Sequence, residues 1–186
     1  MQKERPDPNP RLSKSPGSFV VCLYDTLEPA MSPEIIDRPA VSVVGLRIRT
    51  LPMSPEIPAL WPRLVARIPE IAHQAQAHVS YGVMAPVGTE MAALDYLAGV
   101  AVTDPEAVPP GMSRWTIPAG TWAVFRCRLD KLQAAYAAIF DEWLPGSAFV
   151  QAPGPLYERY DEAFDPARPD SLVEIGVPLA PKTRGG

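Results

Sequence analysis

A single carboxylate, Glu174, lies in a segment that otherwise has the composition of a buried strand. The segment runs from Ser171 to Leu179, and positions 173, 175 and 177 are Val, Ile and Val. Because side chains alternate along a strand, Glu174 lies on the opposite face from those three. A partly desolvated, unpaired carboxylate costs several kcal/mol or becomes protonated. Glu174 is therefore either a solvated outer-face residue or a charge that a cationic ligand would neutralise.

Composition and charge limit the function classes. Of 186 residues, 47% are hydrophobic and 20% are charged, which is enough apolar material for one buried core. The net charge of −4 and the lack of a basic stripe predict no direct nucleic-acid binding. No apolar run is long enough for a membrane span, and two cysteines, Cys22 and Cys127, make no disulfide framework. We predict a cytoplasmic protein without membrane contact, metal or cofactor.

The chain divides into an extension and a folded domain. Residues 1–30 contain prolines that interrupt any helix, at Pro6, Pro8, Pro10 and Pro16, and we predict that this segment is mostly disordered. Residues 31–186 have regular hydrophobic patterning and are predicted to form one domain. Whether residues 1–30 belong to the natural product is left open.

The order strand, helix, strand, strand occurs twice in the folded part. The first half has strands at 41–50, 79–84 and 94–103 and a helix at 57–76, which Pro69 should kink or interrupt. After a short strand at 114–117, the second half has strands at 121–129, 156–160 and 171–179 and a helix at 131–143. Two such halves predict one antiparallel sheet with both helices on one face. The other face would then be open to a small ligand.

A group of acidic residues follows in the second half. It consists of Glu158, Asp161, Glu162, Asp165 and Asp170. Such residue types are mostly exposed, so this group is predicted to be a solvated loop.

Several motifs, taken in order, resemble the GyrI-like small-molecule-binding domain family, which includes the effector-binding domains of AraC-type and MerR-type multidrug regulators. The resemblance runs from about Met31 to Leu179. It is carried by Val43-Val44-Gly45-Leu46, Ile57-Pro58-Ala59-Leu60-Trp61, Tyr81-Gly82-Val83, Asp95-Tyr96-Leu97-Ala98-Gly99-Val100, Ile117-Pro118-Ala119-Gly120-Thr121-Trp122, Glu142-Trp143-Leu144-Pro145, Glu158-Arg159-Tyr160-Asp161-Glu162 and Val173-Glu174-Ile175-Gly176-Val177-Pro178.

The resemblance implies an α+β fold of duplicated β-α-β-β (SHS2-like) modules, with one antiparallel sheet, two helices on one face and a ligand groove on the other. It also implies that Glu174 meets the cationic part of a hydrophobic ligand. The aromatic residues expected to stack on this ligand are Trp61, Tyr81, Tyr96, Trp122 and Tyr157. Trp122 shares a strand face with Arg126, which favours the open side, whereas Trp61 could instead pack on the sheet. Gly176 should make the groove roomier beside Glu174.

Three functions remain open. The first is a stand-alone effector-binding protein that captures amphipathic cationic or aromatic compounds, linked to transcriptional regulation or to drug or toxin sequestration. The second is a hydrolase of reactive acyl compounds, in which Glu174 acts with Tyr81, Tyr96 or Tyr157. The third is an inhibitor of DNA gyrase that uses the acidic segment from Glu158 to Asp170. The expected partners are thus a small molecule and, beyond it, a regulator or a topoisomerase.

Overall fold

The computed structural model describes residues 32–88 and 93–182. The predicted extension at residues 1–30 lies outside these ranges.

The first half contains β1 (Glu34–Arg38), β2 (Val41–Thr50), α1 (Glu56–Val65), a 3-10 turn (Ile68–Glu70), β3 (Ser80–Val87) and β4 (Ala93–Val102). The second contains β5 (Ser113–Ile117), β6 (Gly120–Arg128), a 3-10 turn (Leu129–Lys131), α2 (Leu132–Ala137), a π-helical stretch (Ala138–Trp143), α3 (Leu144–Gly146), β7 (Phe149–Gln151), β8 (Leu156–Tyr160) and β9 (Leu172–Pro181).

The strands form an antiparallel sheet in the order β1-β6-β9-β8-β3-β4-β2-β5, and β7 pairs with the end of β9. The two halves lie side by side at β3 and β8, where Gly82 pairs with Glu158. In addition, β1 pairs with β6 and β5 pairs with β2, so each half lends one short strand to the other. This confirms the predicted α+β fold with a duplicated strand-helix-strand-strand order.

The sheet curls because its two ends are joined by a short link. Strands β5 and β6 lie at or near opposite ends of the strand order, yet only residues 118–119 separate them in the chain. Residues from both ends meet in one buried cluster, which includes Val43, Ile117, Trp122, Val124 and Tyr157. The face opposite the helices is therefore filled by side chains over much of its area.

The helices pack on the other face in two apolar clusters. Leu60 and Leu64 of α1 pack against strands of the first half. Ala135 of α2 and Ile139 of the π-helical stretch pack against strands of the second half. Trp61, Tyr136 and Leu156 contact both clusters and thus connect the two halves.

The first helix is shorter than the sequence predicts. α1 ends at Val65, whereas the hydrophobic spacing predicts a helix to residue 76. Pro69 lacks an N–H, and its ring would clash with the carbonyl of residue 65 in a continuous helix. The chain instead makes the 3-10 turn at Ile68–Glu70. None of the helices in the described ranges combines the length and the apolarity that a membrane crossing requires.

Candidate ligand site

The deepest charged side chain of the described chain is Glu158 on β8. Leu156, Glu158 and Tyr160 share the face that carries the helices, because they pair with Met84, Gly82 and Ser80 of β3. Glu158 is only 6% exposed. A Cβ atom at position 82 would overlap the Tyr96 hydroxyl and lie 3.1 Å from Glu158 Oε2. Gly82 therefore provides the space in which the carboxylate lies.

Three tyrosine hydroxyls surround this carboxylate. Tyr160 Oη donates to Glu158 Oε2 at 2.5 Å, and Tyr136 Oη donates to Oε1 at 2.9 Å. Tyr96 Oη lies 3.5 Å from Oε2. Within residues 32–88 and 93–182, no Lys, Arg or His forms an ion pair with Glu158. The carboxylate is thus hydrogen-bonded, but its charge has no counter-ion.

The environment shifts the protonation equilibria of the whole group. Burial raises the pKa of Glu158, and the hydrogen bonds from Tyr160, Tyr136 and Tyr96 oppose this rise. Burial and the nearby carboxylate hold the pKa values of the same three tyrosines well above the ordinary value. Burial, and secondarily the charge of Glu158, raises the pKa of the neighbouring Cys127 thiol to about 11. The site therefore favours hydroxyl donors and disfavours any further negative charge.

Aromatic side chains separate Glu158 from solvent. Trp61 of α1 makes an edge contact with the Tyr160 ring, with centroids 5.0 Å apart. Tyr136 of α2 stacks on Phe140, and Tyr160 contacts Phe164 at 4.6 Å. Trp61 and Tyr136 are only half-buried. Aromatic rings of both helices thus pack around the tyrosines that hydrogen-bond to the buried carboxylate.

Glu174 lies on the opposite face of the sheet and has cationic partners. Its Oε1 accepts hydrogen bonds from Arg126 Nε at 3.1 Å and from Arg126 Nη2 at 2.9 Å, and its Oε2 accepts one from Arg159 Nη1 at 3.3 Å. All three residues pair directly across the neighbouring strands β6, β9 and β8. Both oxygens of Glu174 are thus engaged by arginines, and the contact with a ligand cation that the resemblance implies for Glu174 stays a prediction. The Glu174 side chain is 20% exposed and borders a shallow hollow of about 230 Å³.

Tyr81, Trp122 and Tyr157 pack together on this same face. The Tyr157 ring lies 5.2 Å from Trp122 and 6.2 Å from Tyr81 between ring centroids. Trp122 shares its face with Arg126 as predicted, but it is 1% exposed and is buried within this aromatic cluster. Any Cβ at Gly176 would overlap the Tyr157 ring. The room predicted beside Glu174 is therefore filled by Tyr157.

The structure divides the predicted aromatic residues into two groups. Trp61 and Tyr96 lie near Glu158, whereas Tyr81, Trp122 and Tyr157 lie on the face of Glu174. Sequence analysis missed Glu158, Tyr136 and Tyr160 as site residues. It placed Glu158 in a solvated acidic loop, which is wrong because this residue is buried. The available signal was the period-two spacing of Leu156, Glu158 and Tyr160, which places Glu158 between two apolar neighbours.

Comparisons with known proteins identify the family. The GyrI-like small molecule binding domain matches residues 31–180. The transcriptional regulator BrlR of Pseudomonas aeruginosa is 33% identical over 154 residues, which are 80% of this chain and 56% of BrlR. This chain thus spans about half the length of that relative.

Two solved structures share the fold. The structure of SAV2435 bound to tetraphenylphosphonium has a TM-score of 0.64 at 14% identity, over 81% of this chain and 94% of that one. The EcmrR C-terminal domain has a TM-score of 0.62 at 16% identity, over 81% and 98%. The sequence match and the shared fold agree with the duplicated architecture described above. The chain belongs to the GyrI-like small molecule binding domain family.

Proposed function

We propose that this domain binds an amphipathic, aromatic small molecule that carries a positive charge, and that Glu158 is its counter-ion. The observation that carries the proposal is a buried carboxylate with three tyrosine donors and no cationic partner among the described residues. Buried charges in proteins are normally paired. A cation placed beside Glu158 would remove the electrostatic cost of ionising this carboxylate.

The rings around Glu158 suit the apolar part of such a ligand. Tyr136 and Tyr160 reach the carboxylate through their hydroxyls, and Trp61 packs against the Tyr160 ring. Each cation–π contact contributes roughly 0.5–2 kcal/mol, depending on desolvation. Together with a charge-assisted contact and apolar burial, these contributions are consistent with micromolar affinity, about −8 kcal/mol.

The ligand would enter between the two helices. Trp61 of α1 and Tyr136 of α2 are half-buried, and each packs against the apolar clusters of both halves. A ligand would displace one or both rings and take over their contacts with the site. The π-helical stretch that follows Tyr136 has an irregular backbone of a kind that often occurs at functional sites.

Relatives support the class of ligand and its use. BrlR is described as a transcriptional regulator, and SAV2435 was solved with tetraphenylphosphonium, a cation with four aromatic rings. We infer that this chain acts as an effector-binding module, either coupled to a transcriptional regulator or as a protein that sequesters a drug or toxin.

Glu174 remains the sequence-based alternative for the counter-ion. Its two arginine partners would have to move before it could pair with a ligand cation. The predicted contacts of Tyr81, Trp122 and Tyr157 with a ligand also require opening of a filled cluster. For these reasons we favour Glu158, with Trp61 and Tyr96 retained from the sequence-based set.

A hydrolase is the second candidate. The specific observation in its favour is the raised pKa of Glu158, because a general base works best when its pKa is near the working pH. Of the tyrosines predicted for catalysis, Tyr96 lies beside Glu158, whereas Tyr81 and Tyr157 do not. No observation favours the gyrase-inhibitor alternative, since Glu158 is buried and adds no charge to an acidic surface.

The test compares two carboxylates in one assay. Tetraphenylphosphonium is titrated into the protein, and the intrinsic tryptophan fluorescence is followed for wild type, Glu158→Gln and Glu174→Gln. We expect saturable quenching, weakened at least about tenfold (~1.4 kcal/mol) by Glu158→Gln and less than about twofold by Glu174→Gln. The opposite order would return the counter-ion role to Glu174. Steady consumption of an activated acyl ester, lost in Glu158→Gln, would favour the hydrolase.

A further inference from the structure

A polar hollow lies on the face of the sheet that carries Glu174. Its volume is about 230 Å³. The charged residues that line it are Glu34, Arg38, Arg126, Arg159 and Glu174. Strands β1, β6, β8 and β9 contribute these residues, so the hollow is built by four neighbouring strands.

The lining has an excess of positive charge. Glu174 is already shared by Arg126 and Arg159. Arg38 has no carboxylate partner within the described part of the chain; its guanidinium instead lies over the Tyr157 ring, 4.6 Å from the centroid. Glu34 is exposed at the rim of the hollow. Three guanidinium groups therefore face two carboxylates, one of which is fully engaged.

The hollow also has an excess of hydrogen-bond donors. A guanidinium carries five N–H donors and no acceptor. Arg126 directs two N–H groups and Arg159 one to Glu174, and Arg38 directs none to a carboxylate of the described ranges. Most donors in the hollow thus have no carboxylate acceptor.

Tyr157 contributes a further donor. Its hydroxyl is fully buried and has no hydrogen-bond partner among the described residues. An unsatisfied buried hydroxyl costs about 1–3 kcal/mol, which an acceptor would recover once Arg38, which lies over the Tyr157 ring, moves onto the anion. Gly176 keeps the Tyr157 ring against the sheet at the edge of this hollow.

We propose that this hollow binds a small anion with several oxygen acceptors, a phosphate or a multivalent carboxylate, through Arg38, Arg159 and Tyr157. Planar guanidinium groups match such oxyanions because they donate paired, parallel hydrogen bonds. Glu174 occupies donors of Arg126 and Arg159 and lowers the net positive charge of the site. The anion site lies on the opposite face of the sheet from Glu158 and is distinct from the cation site proposed there.

The test uses inorganic phosphate and citrate as probes. Each is titrated into the full chain by isothermal calorimetry, with total ionic strength held constant by NaCl. We expect saturable binding of at least one of them, weakened about tenfold or more by Arg38→Gln and severalfold by Tyr157→Phe. Arg63→Gln is the matched control, since Arg63 is an exposed arginine of α1 outside the hollow and its loss changes the net charge equally. The anion that binds distinguishes phosphate from carboxylate.

Glu174→Gln is expected to change the anion affinity in the opposite direction. This change frees donors of Arg126 and Arg159 and removes a negative charge, so we expect tighter anion binding. The proposal would be overturned if neither wild type nor Glu174→Gln bound either anion saturably. It would also be overturned if Arg38→Gln and Arg63→Gln lost anion affinity equally. Arg38→Gln should leave the affinity for tetraphenylphosphonium unchanged. The anion site and the cation site can therefore be tested independently of each other.

Discussion

The two glutamates show how one residue type takes different roles in different surroundings. Glu174 lies between two arginines and keeps contact with solvent. Glu158 is buried among tyrosines, and its pKa is raised by the loss of hydration. Hydroxyl donors stabilise a buried carboxylate only in part, because they supply hydrogen bonds but no opposite charge. Glu158 is therefore the residue whose ionisation a ligand cation would change most.

The raised pKa of Glu158 predicts a particular pH dependence of stability. A carboxyl whose pKa is raised by folding contributes fully below its unfolded value, near 4.5, and loses this contribution as the pH rises through the folded value. Wild type should thus lose stability relative to Glu158→Gln as the pH rises above 4.5.

This dependence can be measured by urea unfolding of both proteins from about pH 4.5 to about pH 8, with a difference slope approaching ~1.4 kcal/mol per pH unit between the two pKa values. The Glu174→Gln variant controls for the loss of any carboxylate. Parallel stability curves for wild type and Glu158→Gln would contradict a raised pKa.

At the residue scale, the sequence predicted correctly which strand face carries Glu174, but it did not predict which charges that residue contacts. The faces of Glu174, Trp122 and Arg126 are as predicted. What it could not supply was the partner of each charge, since Arg159 and Arg126 reach Glu174 from other strands. It likewise grouped Glu158 with later acidic residues, although the alternation of β8 separates this residue from the loop that follows.

At the scale of elements, a glycine on β9 determines how the aromatic cluster packs. The Tyr157 ring occupies the space that a side chain at position 176 would need. Tyr157 of β8 and Gly176 of β9 lie directly opposite each other in the antiparallel pair. The cluster of Tyr157, Trp122 and Tyr81 therefore depends on a residue without a Cβ.

We predict that Gly176→Ala destabilises the domain by about 1–3 kcal/mol or more, because the ring cannot shift without displacing its buried neighbours. Gly146→Ala is the matched control, since nothing lies within 4 Å of a Cβ at that position. Urea unfolding measures both free energies. Equal effects of the two substitutions would show that the Tyr157 ring moves freely.

Apolar and aromatic residue patterns located both a long and a short strand with the correct bounds. Strand β2 at Val41–Thr50 and strand β8 at Leu156–Tyr160 have the predicted bounds. Strand β1 was missed because its sequence Glu-Ile-Ile-Asp-Arg shows no alternation, and β7 because three residues are too few to show one. The predicted end of α1 at residue 76 was too late, because Leu60, Leu64, Ile68 and Ile71 keep a helical spacing; the interruption near Pro69 is as predicted.

At the scale of the whole domain, duplication places the two halves side by side at β3 and β8. Each half supplies one helix to the same face, and the junction between those helices lies over the seam where Glu158 pairs with Gly82. The duplicated order predicted the sheet and the seam. It did not predict the curl, which follows from the short link between β5 and β6. The disordered extension at residues 1–30 remains a prediction.

A pair of ligands with the same shape and opposite charge tests the central claim most directly. Tetraphenylphosphonium and tetraphenylborate present the same four rings around a positive or a negative centre. By calorimetry, wild type should bind the cation at least about tenfold more tightly than the borate, and Glu158→Gln should reduce this ratio to near one. Equal affinities for the two ions in wild type, or a preference for the cation that survives in Glu158→Gln, would contradict the assignment of Glu158 as the counter-ion.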